Sequence, residues 1–389
     1  LLKRWCEEIR MPLPPPAAIG APFSEIDTPA LIVDLDAFER NIETMARMAA
    51  KHSVRLRPHA KTHKSPVVAL KQIARGAVGQ CCQKTAEAEV MVAGGVGNVL
   101  VTNEVVGATK LARLAKLATS ATIGLCFDHP HQVDAAATAA VKAGVRLDAL
   151  VEIDVGGRRC GVAPGEAAAR LAERIAAEKH LRFAGIQAYF GSAQHKRTHA
   201  ERVAAIGSAA TDVAATLAAL RSVGLAAEIV GGAGTGTFEL EAASGLWNEL
   251  QPGSYVFMDA DYARNSKADG SPFDTFAHAL FVLATVMSSN DSDRAVIDVG
   301  HKAISNDSGF PVLPGLAGAA YHRPSDEHGV LDLARCNDRP TVGDRLLLIP
   351  GHCDPTINLY DWYVGVRGVG TPEARVAELW PVAARGAVT

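Results

Sequence analysis

From Thr28 to about residue 262, short apolar runs alternate with Ala-rich segments whose apolar positions recur every three or four residues. Runs at 54–57, 78–82, 98–102, 121–127, 147–153, 183–188 and 227–230 read as strands, and an eighth falls at 247–250 or 255–258. Between them, 84–93, 109–118, 130–143, 166–177 and 199–223 carry the helical period. Ahead of this series stand a short apolar strand at 31–33 and an amphipathic helix with Phe38, Ile42, Met45, Met48 and Ala49 on one face. Eight strands separated by helices predict a parallel sheet, and eight units in about 200 residues is the count that closes a (β/α)8 barrel; an open doubly wound sheet is the alternative. Beyond residue 263 the texture changes to Val-, Leu- and Ile-rich runs broken by Gly, Pro, Asp and Asn, without helical period, which predicts an all-β domain. A Pro cluster in 11–27 suits an extended arm. The expected division is therefore an N-terminal arm, 1–27, packing with the β domain, an α/β barrel at 28–262 and the C-terminal β domain at 263–389.

Composition narrows the classes of function. The 389 residues are 48% hydrophobic, enough for a large core, and 39 Lys+Arg against 42 Asp+Glu leave a net charge of -3. Mixed charge of this kind gives no footprint for nucleic acid or an anionic bilayer, so neither is expected as a partner. The apolar stretch 279–287 is about half of a membrane span, and no charged-then-apolar leader opens the chain. Seven cysteines without repeating spacing argue for reduced thiols, and a cytoplasmic protein is expected.

A barrel directs attention to the C-terminal ends of its strands. The first ends in Arg57-Pro58-His59-Ala60-Lys61-Thr62-His63-Lys64. A lysine at a barrel mouth is shielded from water, which lowers an amine pKa and suits Schiff-base chemistry; a solvated loop charge is the alternative. His59 and His63 offer a metal pair if the segment is helical, which Pro58 opposes. The seventh strand runs into Gly231-Gly232-Ala233-Gly234-Thr235-Gly236-Thr237, a phosphate cradle or a tight structural turn, without the lysine of a P-loop. Strand five ends near Asp154, Arg158 and Arg159, and strand six near Tyr189, with His195 just beyond as a candidate for proton transfer. Near the end stands Gly351-His352-Cys353-Asp354-Pro355. Pro355 biases Asp354 towards an extended backbone, which points His352 and Asp354 to one side and Cys353 to the other. Imidazole plus carboxylate suits a hard divalent ion.

Taken in order, DTPALIVDLDAFERNI, RPHAKTHK, GQCCQKTAEAE, VTNEVV, VEIDVGGRRCGV, QAYFGSAQH, GGAGTGTFE, ELQPGSYVFMD and GHCDPT resemble the family of D-threonine aldolase and D-3-hydroxyaspartate aldolase. These are pyridoxal 5'-phosphate enzymes of the alanine-racemase fold type, a barrel plus a β domain, with D-serine dehydratase as a near relative. The resemblance implies a Schiff-base lysine at Lys61, Arg159 near the pyridine nitrogen and Gln83 beside the ring. It puts Tyr189, Gly232, Thr235, Gly236, Ser254 and Tyr255 around the phosphate, and a divalent metal, Mn2+ or Mg2+, on His352 and Asp354. D-serine dehydratases carry a His-x-Cys zinc pair instead. The implied reaction is retro-aldol cleavage of a D-3-hydroxy amino acid, with His195 as the base or as the orienter of a metal-bound water. The implied assembly is a homodimer. Three readings stand beside it: a D-serine dehydratase, a non-catalytic pyridoxal-phosphate carrier, and a metal-dependent barrel hydrolase using His59 and His63. A hydroxyaspartate specialist would need a further cation, for which Arg158, His301 and Lys302 are candidates.

Overall fold

A computed structural model describes residues 13–389, so Met11, Pro12 and the ten residues before them lie outside the described chain. It opens with β1 (Ala30–Asp34) and the helix Leu35–Lys51. Eight strands follow: β2 (Arg55–Leu56), β3 (Gln80–Cys82), β4 (Asn98–Glu104), β5 (Thr122–Phe127), β6 (Leu147–Glu152), β7 (Leu181–Ala188), β8 (Ile229–Gly232) and β9 (Glu249–Leu250). The rest is β10 (Leu280–Asp291), β11 (Arg294–Ile297), β12 (Ala320–His322), β13 (Gly329–Asp332), β14 (Arg345–Leu348), β15 (Trp362–Arg367) and β16 (Arg375–Pro381).

The eight strands β2 to β9 form one parallel sheet in the order β2-β9-β8-β7-β6-β5-β4-β3. A parallel bridge between His59 and Cys81, with Ala60 N–H donating to Cys81 O at 2.7 Å, joins the two ends and makes the sheet a barrel rather than an open sheet. Of the two candidates for the eighth strand, 247–250 is the one that pairs; Ser254–Val256 is a 3-10 turn. Six successive strands each contribute one side chain to a buried cluster, Cys81, Leu100, Cys126, Leu150, Ala184 and Ile229. Two of these are cysteines whose thiols burial pushes well above their ordinary range, so they act as small apolar residues. The helix His199–Ser222 is long and apolar enough to cross a membrane by length and composition. It is nonetheless a barrel helix that buries Ile206, Ala209, Val213 and Leu220, opened by a capping box in which Thr198 and Glu201 satisfy each other's backbone N–H groups.

Arg57 locks the β2–β9 seam. Its guanidinium donates to both oxygens of Glu249, at 2.7 and 3.2 Å, and to Asn98 Oδ1 at 2.6 Å. Glu249 is fully buried, so removing it strands a desolvated cation. Glu249→Ala is expected to lower unfolding free energy by about 3–5 kcal/mol, read as a drop in the urea midpoint; a change within error would show that the seam does not depend on the pair.

The chain divides into two compact units, one running to Phe38 and resuming over His278–Arg385, the other Glu39–Ala277 with Gly386–Thr389. These cuts differ from the expected 27/28 and 262/263. The apolar strand expected at 31–33 is β1, and it belongs to the second sheet: antiparallel to β10, parallel to β15. That sheet runs β12-β13-β11-β10-β1-β15-β16, with β14 also on β10. A strand buried on both faces shows an unbroken apolar run in either kind of sheet, which is why periodicity alone assigns β1 to neither. Within the same unit, the arm lies along β16, with Gly20 N–H donating to Val376 O and Phe23 N–H to Ala374 O.

Candidate functional site

The loops at the C-terminal ends of the barrel strands enclose a cavity of about 360 Å³ that brings together Lys61, Gln83, Arg159, Tyr189, His195, Thr235 and Ser254. Lys61 follows β2 in a turn held by His59, whose Nδ1 accepts the Lys61 N–H at 3.2 Å. That bond fixes the proton of His59 on Nε2, which faces Gln83 Oε1 at 3.2 Å and Thr102 Oγ1 at 3.0 Å. His63 is fully buried and its Nδ1 accepts the Ser65 N–H at 3.2 Å. Each ring is committed to its own turn, so the two do not make the metal pair of the hydrolase reading. Lys64 is not a loop charge in water: it is buried, its Nζ 2.6 Å from Glu87 Oε1. Lys61 is thus the lysine that the fold presents to the cavity.

The glycine-rich loop after β8 is shaped by a neighbour. Gln194 donates to Thr237 Oγ1 at 2.7 Å and accepts the Gly236 N–H at 3.0 Å. A Cβ on Gly234 would lie 2.6 Å from the Gln194 side chain, and one on Gly236 2.4 Å from Gln194 O. Among the described residues, the N–H groups of Gly234 and Thr235 donate to no protein acceptor. Thr235 Oγ1 accepts the Tyr255 N–H at 3.0 Å, which leaves its own proton to donate. Two amides and a hydroxyl turned to one cavity fit a bound phosphate.

Three residues expected at the phosphate do other work. Tyr255 is fully buried, its hydroxyl accepts from Gln72 Nε2 at 3.1 Å, and burial pushes its phenol above the ordinary range; only its backbone serves the site, through Thr235. Gly232 is a packing position, since a Cβ there would meet Ala188 O at 2.3 Å. Gly236 lines an adjacent cavity with Arg202 and Phe238.

Arg159 lies over the Tyr189 ring, 5.6 Å from its centre, with Glu152 Oε1 3.7 Å from its Nη2. Burial first, and then the neighbouring Glu104 carboxylate, push Glu152 up to about 8. Asp154 meets Arg158 through the backbone: its Oδ1 accepts the N–H groups of Gly156 and Arg158. Glu104, Asp128 and Cys160 have donor atoms within 4.8 Å of one another. There, burial and a hydrogen bond to Glu104 push the Cys160 thiol up to about 12, and Asp128 already accepts from Gln132 Nε2 and Gly161 N–H, so the trio reads as a hydrogen-bonded corner rather than a thiolate site.

Residues 352–354 depart from the extended geometry expected of them. His352 is extended (φ -145°, ψ 125°), but Cys353–Ile357 is a short helix. Pro355 sits in its first turn, where a missing N–H costs nothing. The outcome for the ligands is nevertheless a pair: His352 Nε2 lies 3.9 Å from Asp354 Oδ1, while Cys353 is fully buried. Asp307 Oδ2 accepts from His352 Nδ1 at 2.8 Å, which fixes the proton there and leaves Nε2 as a lone-pair donor. An imidazole so oriented beside a carboxylate fits a hard divalent ion. Of the candidate distal cations, Lys302 is paired with Glu327 at 2.6 Å and His301 Nδ1 lies 3.2 Å from Asn306 Nδ2.

Several site groups escaped sequence reasoning. Gln187 and Gln251, both buried, exchange amide hydrogen bonds at 2.7 and 3.0 Å on the cavity wall. A polar residue inside the apolar run of β7 was the available signal for Gln187; nothing local marked Asp307 or Asp261. Beside the glycine-rich loop, Glu241 is fully buried; its Oε1 accepts from Thr237 and its Oε2 has no partner among the described residues. Burial raises it from 4.5 to about 7. Between those values the unfolded chain ionises and the folded chain keeps the proton, so stability falls as pH rises through this window. Glu241→Gln is expected to match the parent at pH 4.5 and to exceed it by about 3 kcal/mol at pH 8, in denaturant titrations; a gap that does not grow with pH would contradict a protonated Glu241.

Residues 33–261 match the family model of the alanine racemase N-terminal domain, and 279–366 that of a putative serine dehydratase domain. The chain is 45% identical to a D-threonine aldolase of an Arthrobacter species, over 96% of this chain and 97% of that protein. It is 47% identical to a 3-hydroxy-D-aspartate aldolase of Paracoccus denitrificans (strain Pd 1222), covering 95% of each. The crystal structure of D-threonine aldolase from Filomicrobium marinum superposes with a TM-score of 0.93 at 53% identity, over 96% of this chain and 100% of that one.

Proposed function

The chain belongs to the family of D-threonine aldolase and 3-hydroxy-D-aspartate aldolase, and from that premise we propose that it is a carbon–carbon lyase that cleaves D-3-hydroxy amino acids to glycine and an aldehyde. The observation that carries this reading is the convergence of Lys61, Arg159, Tyr189, His195 and Thr235 on one cavity. When bound, pyridoxal phosphate supplies an electron sink for the pair left at Cα, and a divalent ion, Mn2+ or Mg2+, supplies Lewis acidity at the β-hydroxyl.

Lys61 is the residue that would hold the cofactor, through its amine. Arg159 would meet the pyridine nitrogen, and a guanidinium, always charged, would not hand that nitrogen its proton. The amides of Gly234 and Thr235, with the Thr235 and Tyr189 hydroxyls, hold the phosphate. His195 takes the β-hydroxyl proton as the Cα–Cβ bond breaks. His352 and Asp354 hold the metal. The family match to a serine dehydratase domain supports a second reading, β-elimination. Against it, Cys353 is buried away while Asp354 stands beside His352.

The test is product analysis with D-threonine, D-phenylserine and D-3-hydroxyaspartate, with and without Mn2+. Glycine and an aldehyde are expected; ammonia and a 2-oxo acid would establish the elimination, and no product from any of the three would end both readings. The same reading includes a homodimer, checked by light scattering, in the cytoplasm, in keeping with the six free thiols among the described residues.

A further inference from the structure

We propose that Asp261 is a positioning residue for catalysis: its carboxylate fixes the proton of His195 on Nδ1 and so presents a lone pair at Nε2 to the cavity. This rests on the proposed aldolase reading for its effect on rate, but not for its geometry. Asp261 stands in the short helix Ala260–Ala263, whose first turn is capped by Asp259 accepting the Tyr262 N–H at 3.0 Å. Its side chain is nearly buried, and both oxygens are engaged. Oδ2 accepts from His195 Nδ1; Oδ1 accepts from Arg197 Nη2 at 2.6 Å and from Arg264. Arg197 also donates to the Asp261 backbone carbonyl at 2.7 Å and to Asn265 Oδ1 at 3.0 Å. The carboxylate is therefore held by two arginines besides the imidazole.

Burial alone would raise this carboxyl; the hydrogen bonds from His195, Arg197 and Arg264 hold it well below the usual carboxylate range instead. It stays an anion across the working pH range and can only accept, which leaves Nδ1 of His195 the donor at every such pH. The two arginines matter as well. Arg197 and Arg264 both donate to the other oxygen, Oδ1, which keeps Oδ2 turned to Nδ1 of His195. The Tyr262 ring, which also lines the cavity, lies 5.4 Å from that of His195. The carboxylate thus engages Nδ1 and leaves Nε2 as the ring nitrogen available to the cavity, the side a proton acceptor needs.

Asp261→Asn tests it. An amide at this position can turn its NH2 to Nδ1, which moves the imidazole proton to Nε2 and makes the cavity-facing nitrogen a donor. For the holoenzyme, kcat for aldehyde release is expected to fall about 10²–10⁴-fold with KM within about twofold. In a His195→Ala background the same substitution should change kcat by less than about twofold, because nothing is left to position. Equal losses in both backgrounds would mean a structural role and overturn the proposal. So would an unchanged kcat in the single variant. The tautomer can be read without turnover: nitrogen-15 spectra of the histidines, with His195 assigned by its loss in His195→Ala, should show Nδ1–H in the parent and Nε2–H in Asp261→Asn. The same tautomer in both overturns the proposal even if the protein proves not to be an aldolase, and a parent that releases no aldehyde overturns the aldolase reading while leaving the tautomer result to stand.

Discussion

Lys61→Ala is expected to release aldehyde at least about 10⁴-fold more slowly than the parent, the scale on which removing a covalent participant acts, and to lose covalent attachment of the cofactor on borohydride reduction. The chain offers a control three residues away. Lys64 carries the same ammonium group, but its Nζ is spent on Glu87 at 2.6 Å, and Glu87 in turn accepts the Gln83 N–H at 2.8 Å. Lys64→Met should therefore cost stability, about 3–5 kcal/mol for a broken buried pair, while borohydride still fixes the cofactor to the chain. If reduction labels Lys61→Ala as fully as the parent, the lysine assignment fails. Loss of labelling in Lys64→Met with intact folding would point to the wrong member of the pair.

Removal of either side chain of the proposed metal pair is the second large effect. His352→Ala and Asp354→Ala should abolish Mn2+ stimulation of aldehyde release and weaken Mn2+ binding by more than the roughly 10–100-fold that loss of an outer partner costs. Asp307→Asn supplies that smaller step. It leaves both ligands in place but removes the anion that holds His352 by its Nδ1. Binding is measured by electron paramagnetic resonance of free Mn2+, which does not depend on turnover. A graded series, parent tighter than Asp307→Asn and that tighter than either alanine variant, is expected. Cys353→Ser should bind Mn2+ like the parent because the thiol is fully buried; a loss there comparable to Asp354→Ala would return Cys353 to the ligand set and favour the elimination chemistry.

Much of this architecture is legible in the residue pattern, for identifiable reasons. The longer barrel strands, such as β5 with TIGLCF and β6 with LDALVE, are apolar runs bounded by helical periods, and they fall where alternation places them. Ambiguity concentrates at β9, a two-residue strand whose Glu249 is polar because it pairs with Arg57, while the nearby apolar Tyr255 to Met258 looks more like a strand and forms a turn. The chemistry on strand ends is legible as residue types: Lys61, Arg159, Tyr189 and Thr235 do meet at one cavity. Its orientation is not, because that is set by contacts remote in sequence. Tyr255 turns to Gln72 rather than to the cavity, and His352 takes its tautomer from Asp307, 45 positions earlier. The pre-proline rule misjudged Asp354 since it describes a local preference, and a first helical turn satisfies Pro355 equally well.

The placement of β1 bears on how the polypeptide is made. Its neighbours in the sheet, β10 and β15, are synthesised about 250 and 330 residues later. The barrel is thus an insertion within the β unit, and the final residues return to it, with Thr389 O accepting the Ala86 N–H at 2.9 Å. On a ribosome, β1 therefore waits unpaired while the whole barrel is made, and a chain cut between the barrel and β10 is left with an apolar strand that has no sheet to enter.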